Sequence, residues 1–145
     1  MAVWQFDCIL IPRRNSNEEF WENDRLSWKG TDQKDKVKEK VGNILTESNS
    51  WSSEVLIFGD IEGTCIKLIC EKEDLDEVVL RLDLRSLSKS DLNILLSLLQ
   101  DIGAMIFYNN RIYEVEEATM IELIANSDAA KFCLNPEMYL KNCKK

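Results

Sequence analysis

The chain predicts an α+β domain, in which a mainly antiparallel sheet of five or six strands carries helices packed on one face. Three observations lead there. Its elements run strand, helix, three strands, helix, hairpin, helices, an order that does not alternate as parallel crossover units do. Several segments repeat apolar residues with a period of two, and others with the period of a helix. The 145 residues are 45% hydrophobic and 30% charged with only five Gly and two Pro, the composition of a globular chain. At this length roughly 70% of the unfolded chain's surface is buried on folding. No repeat or linker divides residues 1–145, so one domain is expected.

Residues 3–11 set Trp4, Phe6, Cys8 and Leu10 against Val3, Gln5, Asp7 and Ile9, which marks a strand stopped by Pro12. Residues 13–30 are polar, with Phe20, Trp21, Leu26 and Trp28 interspersed, and read as an irregular excursion pinned to the core by its aromatics. From Thr31 or Asp32 onward, Val37, Val41, Ile44 and Leu45 fall at helical spacing with Asp32 as a candidate cap. After a turn holding Trp51, EVLIFG and GTCIKLICEKE read as strands joined through Gly59-Asp60-Ile61-Glu62-Gly63, a hairpin loop that presents two carboxylates. A polar bend at Glu73, Asp74 and Asp76 leads into EVVLRLDLR, with Leu80, Leu82 and Leu84 on one face and Arg81, Asp83 and Arg85 on the other. Ser88-Lys-Ser90-Asp91 opens the clearest helix, whose stripe is Leu92, Leu95, Leu96 and Leu99 and whose stop is Gly103. AMIFY and RIYEV flank Asn109-Asn110, a pair suited to the left-handed conformations of a tight hairpin turn. Helical segments close the chain at Glu117–Asn126 and Asp128–Cys133, and Pro136 is placed to start a last one through Leu140.

Composition narrows the function classes. The chain has no histidine, and its 26 acidic against 18 basic side chains give a net charge of −8. The commonest general base and metal ligand is thus missing. There is no phosphate-binding glycine loop, no G-x-S-x-G elbow and no calcium-loop pattern. Neither a metal nor a cofactor is expected. A strongly acidic surface repels phosphate, so nucleic acid is not an expected ligand despite four tryptophans. No apolar run approaches the roughly 18 residues needed to cross a bilayer, and the first residues do not resemble a signal peptide; a cytosolic location is expected. Cys8, Cys65, Cys70, Cys133 and Cys143 are scattered without a C-x-x-C pair, which speaks against a disulfide framework or a zinc site. The first three lie in apolar strands and read as buried hydrophobes, whereas Cys143, near a basic end, reads as exposed.

Charge distribution points to a basic protein partner. Residues 54–101 hold eleven acidic and five basic side chains. The densest run is Glu71, Glu73, Asp74, Asp76 and Glu77, and Asp60 and Glu62 lie at the other end of the intervening strand. These seven carboxylates are the candidate contacts, with Trp21 and Trp28, together with Phe20, as candidate aromatic anchors. Two alternatives stand beside this reading. Asp60 and Glu62 are a possible acid/base pair for a histidine-free hydrolase, and an extended apolar patch would mark a subunit of a larger complex. Arg81, Asp83 and Arg85 read as a ladder of cross-strand ion pairs on a solvated face.

Five features carry a resemblance. They are Trp4-Gln-Phe near the start, Ser50-Trp51-Ser52 before a strand ending in Gly59-Asp60, Arg81-Leu-Asp83-Leu-Arg85, Ser127-Asp-Ala-Ala-Lys-Phe132, and Asn135-Pro136. In these the chain resembles immunity proteins encoded beside bacterial polymorphic or contact-dependent growth inhibition toxins. The resemblance covers most of the chain. It implies a cytosolic protein without catalysis that binds and neutralises one cognate toxin domain, often a nuclease, by covering its active site or a surface needed for action. It carries over no functional residue, because such families vary the positions that touch the toxin.

Overall fold

The computed structural model describes residues 3–13 and 26–134, with side chains described as far as Lys131. The expected last helix from Pro136, the anchors Phe20 and Trp21, and Cys143 lie outside the described residues. Seven strands and four helices follow in the order β1 (Gln5–Pro12), α1 (Lys34–Ile44), β2 (Glu47–Ser48), β3 (Val55–Gly59), β4 (Cys65–Glu71), β5 (Asp74–Asp83), α2 (Lys89–Asp101), β6 (Ala104–Tyr108), β7 (Arg111–Tyr113), α3 (Glu117–Ala125) and α4 (Asp128–Leu134). The strands form one sheet in the order β2-β3-β4-β5-β1-β6-β7, and every neighbouring pair is antiparallel. The α+β class is as the sequence predicts. The strand missing from that expectation is β2, whose two residues are too few to show a period. Both edge strands, β2 and β7, are short, which limits the unpaired backbone open to another chain.

Alternation along each strand sorts the sheet into two unlike faces. Phe58, Ile66, Leu80 and Cys8 stand in register across β3, β4, β5 and β1, as do Leu68, Val78, Leu10 and Ile106 across β4, β5, β1 and β6. All are buried, and Val37 and Val41 from α1, Leu92, Leu95 and Leu99 from α2, and Met120 from α3 complete the same cluster. This is the helix-covered face. Fully burying one such side chain is worth roughly 1.5–3 kcal/mol, so the shared face dominates the stability. The other face carries a row across six strands, Ile57, Lys67, Val79, Ile9, Phe107 and Ile112. Its last four apolar members are only half-buried.

Local chemistry sets the turns. Lys72 and Glu73 form a two-residue turn with φ of 52° and 70°, and Asn109 and Asn110 form another with 50° and 62°, the mirror-type geometry that suits the twist of paired strands. The first of these is tighter than the expected bend, so Asp74 and Asp76 belong to β5 rather than to a loop. Gly59 has φ of +101°, and a Cβ there would lie 2.5 Å from the Thr64 carbonyl oxygen, which only glycine avoids. Ser88 caps α2 by accepting a hydrogen bond from the Asp91 N–H at 3.0 Å. Asp32 does not cap α1: it takes φ of 56°, and Gln33 occupies the capping position without a side-chain bond.

Trp28 joins the ends of two central strands. Beyond Leu10 the β1–β5 ladder stops, while β1 continues against β6 alone. In β5 the pairing with β4 passes from Ile69↔Glu77 to Cys70↔Leu75, so Asp76 is the extra residue of a bulge. The Trp28 indole N–H donates to the Leu10 carbonyl at 2.8 Å, and its main-chain N–H donates to the Asp76 carbonyl at 2.7 Å. One residue thus satisfies two carbonyls that the sheet leaves over. At 1% exposure it is part of the core. Replacing Trp28 by Phe keeps the apolar ring but leaves the Leu10 carbonyl buried without that donor, so urea unfolding should show a loss of about 1–3 kcal/mol. An unchanged stability would mean that this junction is not formed.

Candidate partner-binding surface

The two acidic regions lie at opposite ends of β4 and are used differently. At the β4–β5 turn, the segment after residue 26 is bonded to the carboxylates. Ser27 Oγ donates to Asp76 Oδ1 at 2.7 Å, the Gly30 N–H donates to Asp74 Oδ2 at 3.2 Å, and Lys29 Nζ reaches Glu71 Oε2 at 2.5 Å. Lys34 Nζ donates to the Glu73 carbonyl at 2.9 Å. Glu71, Asp74 and Asp76 therefore hold residues 27–30 in place. Among the described residues, only Glu73 and Glu77 of this run keep a carboxylate without a hydrogen bond or ion pair. A wide polar depression here is lined by Asp32, Lys34, Asp35, Glu54, Lys72 and Glu73, both signs of charge interleaved.

At the β3–β4 hairpin the arrangement is reversed. Asp60 Oδ1 accepts the Glu62 N–H at 3.0 Å, a local bond that shapes the loop without a cation. Two side chains of the less covered sheet face hold the loop from below: Gln5 Nε2 donates to the Glu62 carbonyl at 2.9 Å, and Arg81 donates to the Ile61 carbonyl at 3.3 Å. Asp60 and Glu62 are left exposed. Next to the loop, a cleft of about 410 Å³ opens between the end of α1, the first turns of α2 and the hairpin. Ile44, Leu45, Leu87, Ile94 and Leu95 give it apolar walls, and Asp60, Asp83 and Asp91 line it as well; among the described residues no lysine or arginine does. Ile44 and Ile94 are 46% and 47% exposed.

The arginines nearby are bound to other carboxylates. Arg81 sits directly opposite Asp7 across β5 and β1, and its Nε bonds Asp7 Oδ1 at 3.0 Å, the cross-strand pair expected of that face. Arg85 lies beyond the strand rather than on it. Its Nε and a terminal nitrogen bond the two Asp83 oxygens at 3.1 and 3.0 Å, while its guanidinium covers the Trp4 ring at 3.9 Å. The Arg85 hydrogen bonds, main-chain N–H included, hold the Asp83 carboxyl below the usual range against the opposing effect of burial. Among the described residues, no lysine or arginine pairs with Asp60, Glu62 or Asp91.

The aromatic anchors come out differently from the sequence expectation. Trp28 is not a contact residue: its indole closes the core, because the strand ends need its two N–H donors. Trp21 is outside the described residues. Among the described residues, the tryptophan that faces solvent is Trp51, 69% exposed, with Lys67 Nζ 5.9 Å from its ring centre. The available signal was its setting, three serines and an asparagine within two residues of it. The cysteines Cys8, Cys65 and Cys70 are buried as expected. Burial, aided by Asp7, pushes the Cys8 thiol up to about 12, so it carries almost no thiolate near neutrality.

Among the described residues, no group of three His, Cys, Asp or Glu side chains is disposed to hold a metal ion, and no helix is long and apolar enough to cross a membrane. No protein-family model, no curated protein sequence and no solved structure matches the chain.

The Asp83–Arg85 pair gives this surface a pH signature. Because the folded pKa of Asp83 is depressed, its contribution to stability is present above the unfolded value of about 3.9 and is lost as pH falls through the folded value. With Arg85 half-exposed, Asp83→Asn should cost about 1 kcal/mol in urea unfolding at pH 7. The difference from the unsubstituted chain should shrink towards zero once the pH has fallen below the folded value. An equal loss at both pH values would assign the effect to shape rather than charge.

Proposed function

We propose that the chain is an immunity protein, which binds a basic toxin domain, of the kind, often a nuclease, that its resemblance implies, and neutralises it by contact without transforming a substrate. The observation that carries this reading is the disposition of charge at the hairpin end. Among the described residues, Asp60, Glu62 and Asp91 stand without a basic partner beside an apolar-walled cleft, while Arg81 and Arg85 are bound to Asp7 and Asp83. A carboxylate group left unneutralised on a surface that also exposes apolar side chains suits a cationic protein partner. The charges attract the partner from a distance, and the apolar walls supply contact area once it arrives. The sequence resemblance supports the same reading, as does the exposure of Trp51, an amphipathic side chain of the kind that anchors interfaces. A cytosolic site of action follows from that resemblance.

The test is co-expression with the toxin domain encoded beside this chain. Cells should survive, and the two proteins should co-purify as a complex. Association measured by surface plasmon resonance should slow by about tenfold or more between low and high salt, because steering is screened, while dissociation changes little. Cells that die despite expression of the folded chain, or association that ignores salt, would overturn the proposal.

A further inference from the structure

We infer that the cleft between α1, α2 and the β3–β4 hairpin seats one lysine or arginine side chain of a basic protein partner. Its alkyl stem would lie against Ile44, Leu87 and Ile94, and its cationic head between Asp60 and Asp91. This rests on the protein-binding reading above and adds the chemistry of recognition to it.

The cleft discriminates by chemistry. Ile44 and Ile94 come from different helices, yet both line the cleft and both leave nearly half their surface in water. Neither is needed to close the core, which α1 and α2 build from Val37, Val41, Leu92, Leu95 and Leu99. A purely apolar occupant would cover them but would also take Asp60 and Asp91 out of water with nothing to pair them, an unfavourable exchange. An anion meets three carboxylates and, among the described residues, no lining lysine or arginine. Lysine and arginine combine an apolar stem with a charged tip, and they cover apolar surface while the tip reaches polar ground. Asp83 is not available to that tip because Arg85 holds both of its oxygens, which leaves Asp60 and Asp91 as the receiving carboxylates. Asp60 is fixed by its bond to the Glu62 N–H and by the close approach of Gly63. Asp91 is held through its main chain in the first turn of α2, where Ser88 Oγ accepts its N–H. The Asp60 carboxylate and the Asp91 backbone are thus in place before a partner arrives, which limits the order lost on binding.

Two measurements on the full chain decide the matter. In the first, isotope-labelled protein is titrated with a blocked pentapeptide holding a single central arginine, and in parallel with its citrulline counterpart, which keeps the stem and removes the charge. The arginine peptide should give weak, saturable shifts of the Ile44, Gly63 and Ile94 resonances, and the citrulline peptide should not. Shifts that never saturate, or that centre on residues 71–77, would overturn the inference. In the second, affinity for the neighbouring toxin domain is compared between Asp60→Asn/Asp91→Asn and Glu73→Gln/Glu77→Gln, which change the net charge equally. The first variant should bind about tenfold or more weaker, and the second within about threefold of the unsubstituted chain. Equal losses would overturn the cleft and leave the immunity reading standing. Failure of the unsubstituted chain to bind the toxin domain would overturn the immunity reading, and the peptide titration would still decide the cleft.

Discussion

The fold depends on how two central strands are closed at one end. A sheet that ends a ladder leaves carbonyls facing the core, and each such group costs free energy unless it is paired. Here the Leu10 carbonyl, at the end of the β1–β5 ladder, and the Asp76 carbonyl, freed by the bulge in β5, both accept from Trp28. The indole is also a member of the core cluster. Once Trp28 is fixed, its neighbours on either side meet the carboxylates of the adjoining turn: Ser27 meets Asp76, Lys29 meets Glu71, and Gly30 meets Asp74. The junction therefore determines which acidic residues remain for anything outside the chain.

From that constraint comes a division of labour within one sign of charge. Acidity by itself says little, because most carboxylates of a folded domain face water. What distinguishes the two ends of β4 is the identity of their partners. At the β4–β5 turn, three of the five carboxylates are tied to residues 27–30, so a cation arriving there competes with bonds that hold the fold. At the hairpin end, the loop is shaped by main-chain donors and by Gln5 and Arg81 acting on carbonyls. The carboxylates themselves are left over. Arg85 is held by Asp83 and stacked on Trp4. A surface that is negative, partly apolar and already ordered loses little on meeting a positive protein, and this is the physical content of the immunity reading.

Much of the fold was legible in the sequence because its signals are local. Alternation in β1 and β5, the leucine stripe and Ser88 cap of α2, the Asn109-Asn110 turn and the Gly59 requirement each depend on a few neighbouring residues and follow from backbone chemistry. The site was less legible, because it depends on which distant groups meet. The acidic run at 71–77 stood out by density, yet density carries no information that residues 27–34 fold onto it. Trp28 was read both as a pin to the core and as a partner contact; the first holds and the second does not, because its burial is decided by two strands far from it in sequence. The Lys72-Glu73 turn was read too wide because Asp74 and Asp76 resemble loop residues, although the bulge lets β5 include them. The cleft was not foreseen at all. Ile44 and Ile94 look like ordinary helix residues until α1 and α2 are set side by side, and Asp91 was visible only as part of a helix start.

The central claim is that one acidic region serves the fold and the other is free to serve a partner, and paired alanine substitutions test it most directly. Urea unfolding at pH 7 of Asp76→Ala and Asp91→Ala compares a carboxylate bound to Ser27 with one that has no partner among the described residues. The account predicts a loss of about 1 kcal/mol or more for Asp76→Ala and a change within about 0.5 kcal/mol for Asp91→Ala. Equal losses, or a loss confined to Asp91→Ala, would contradict it.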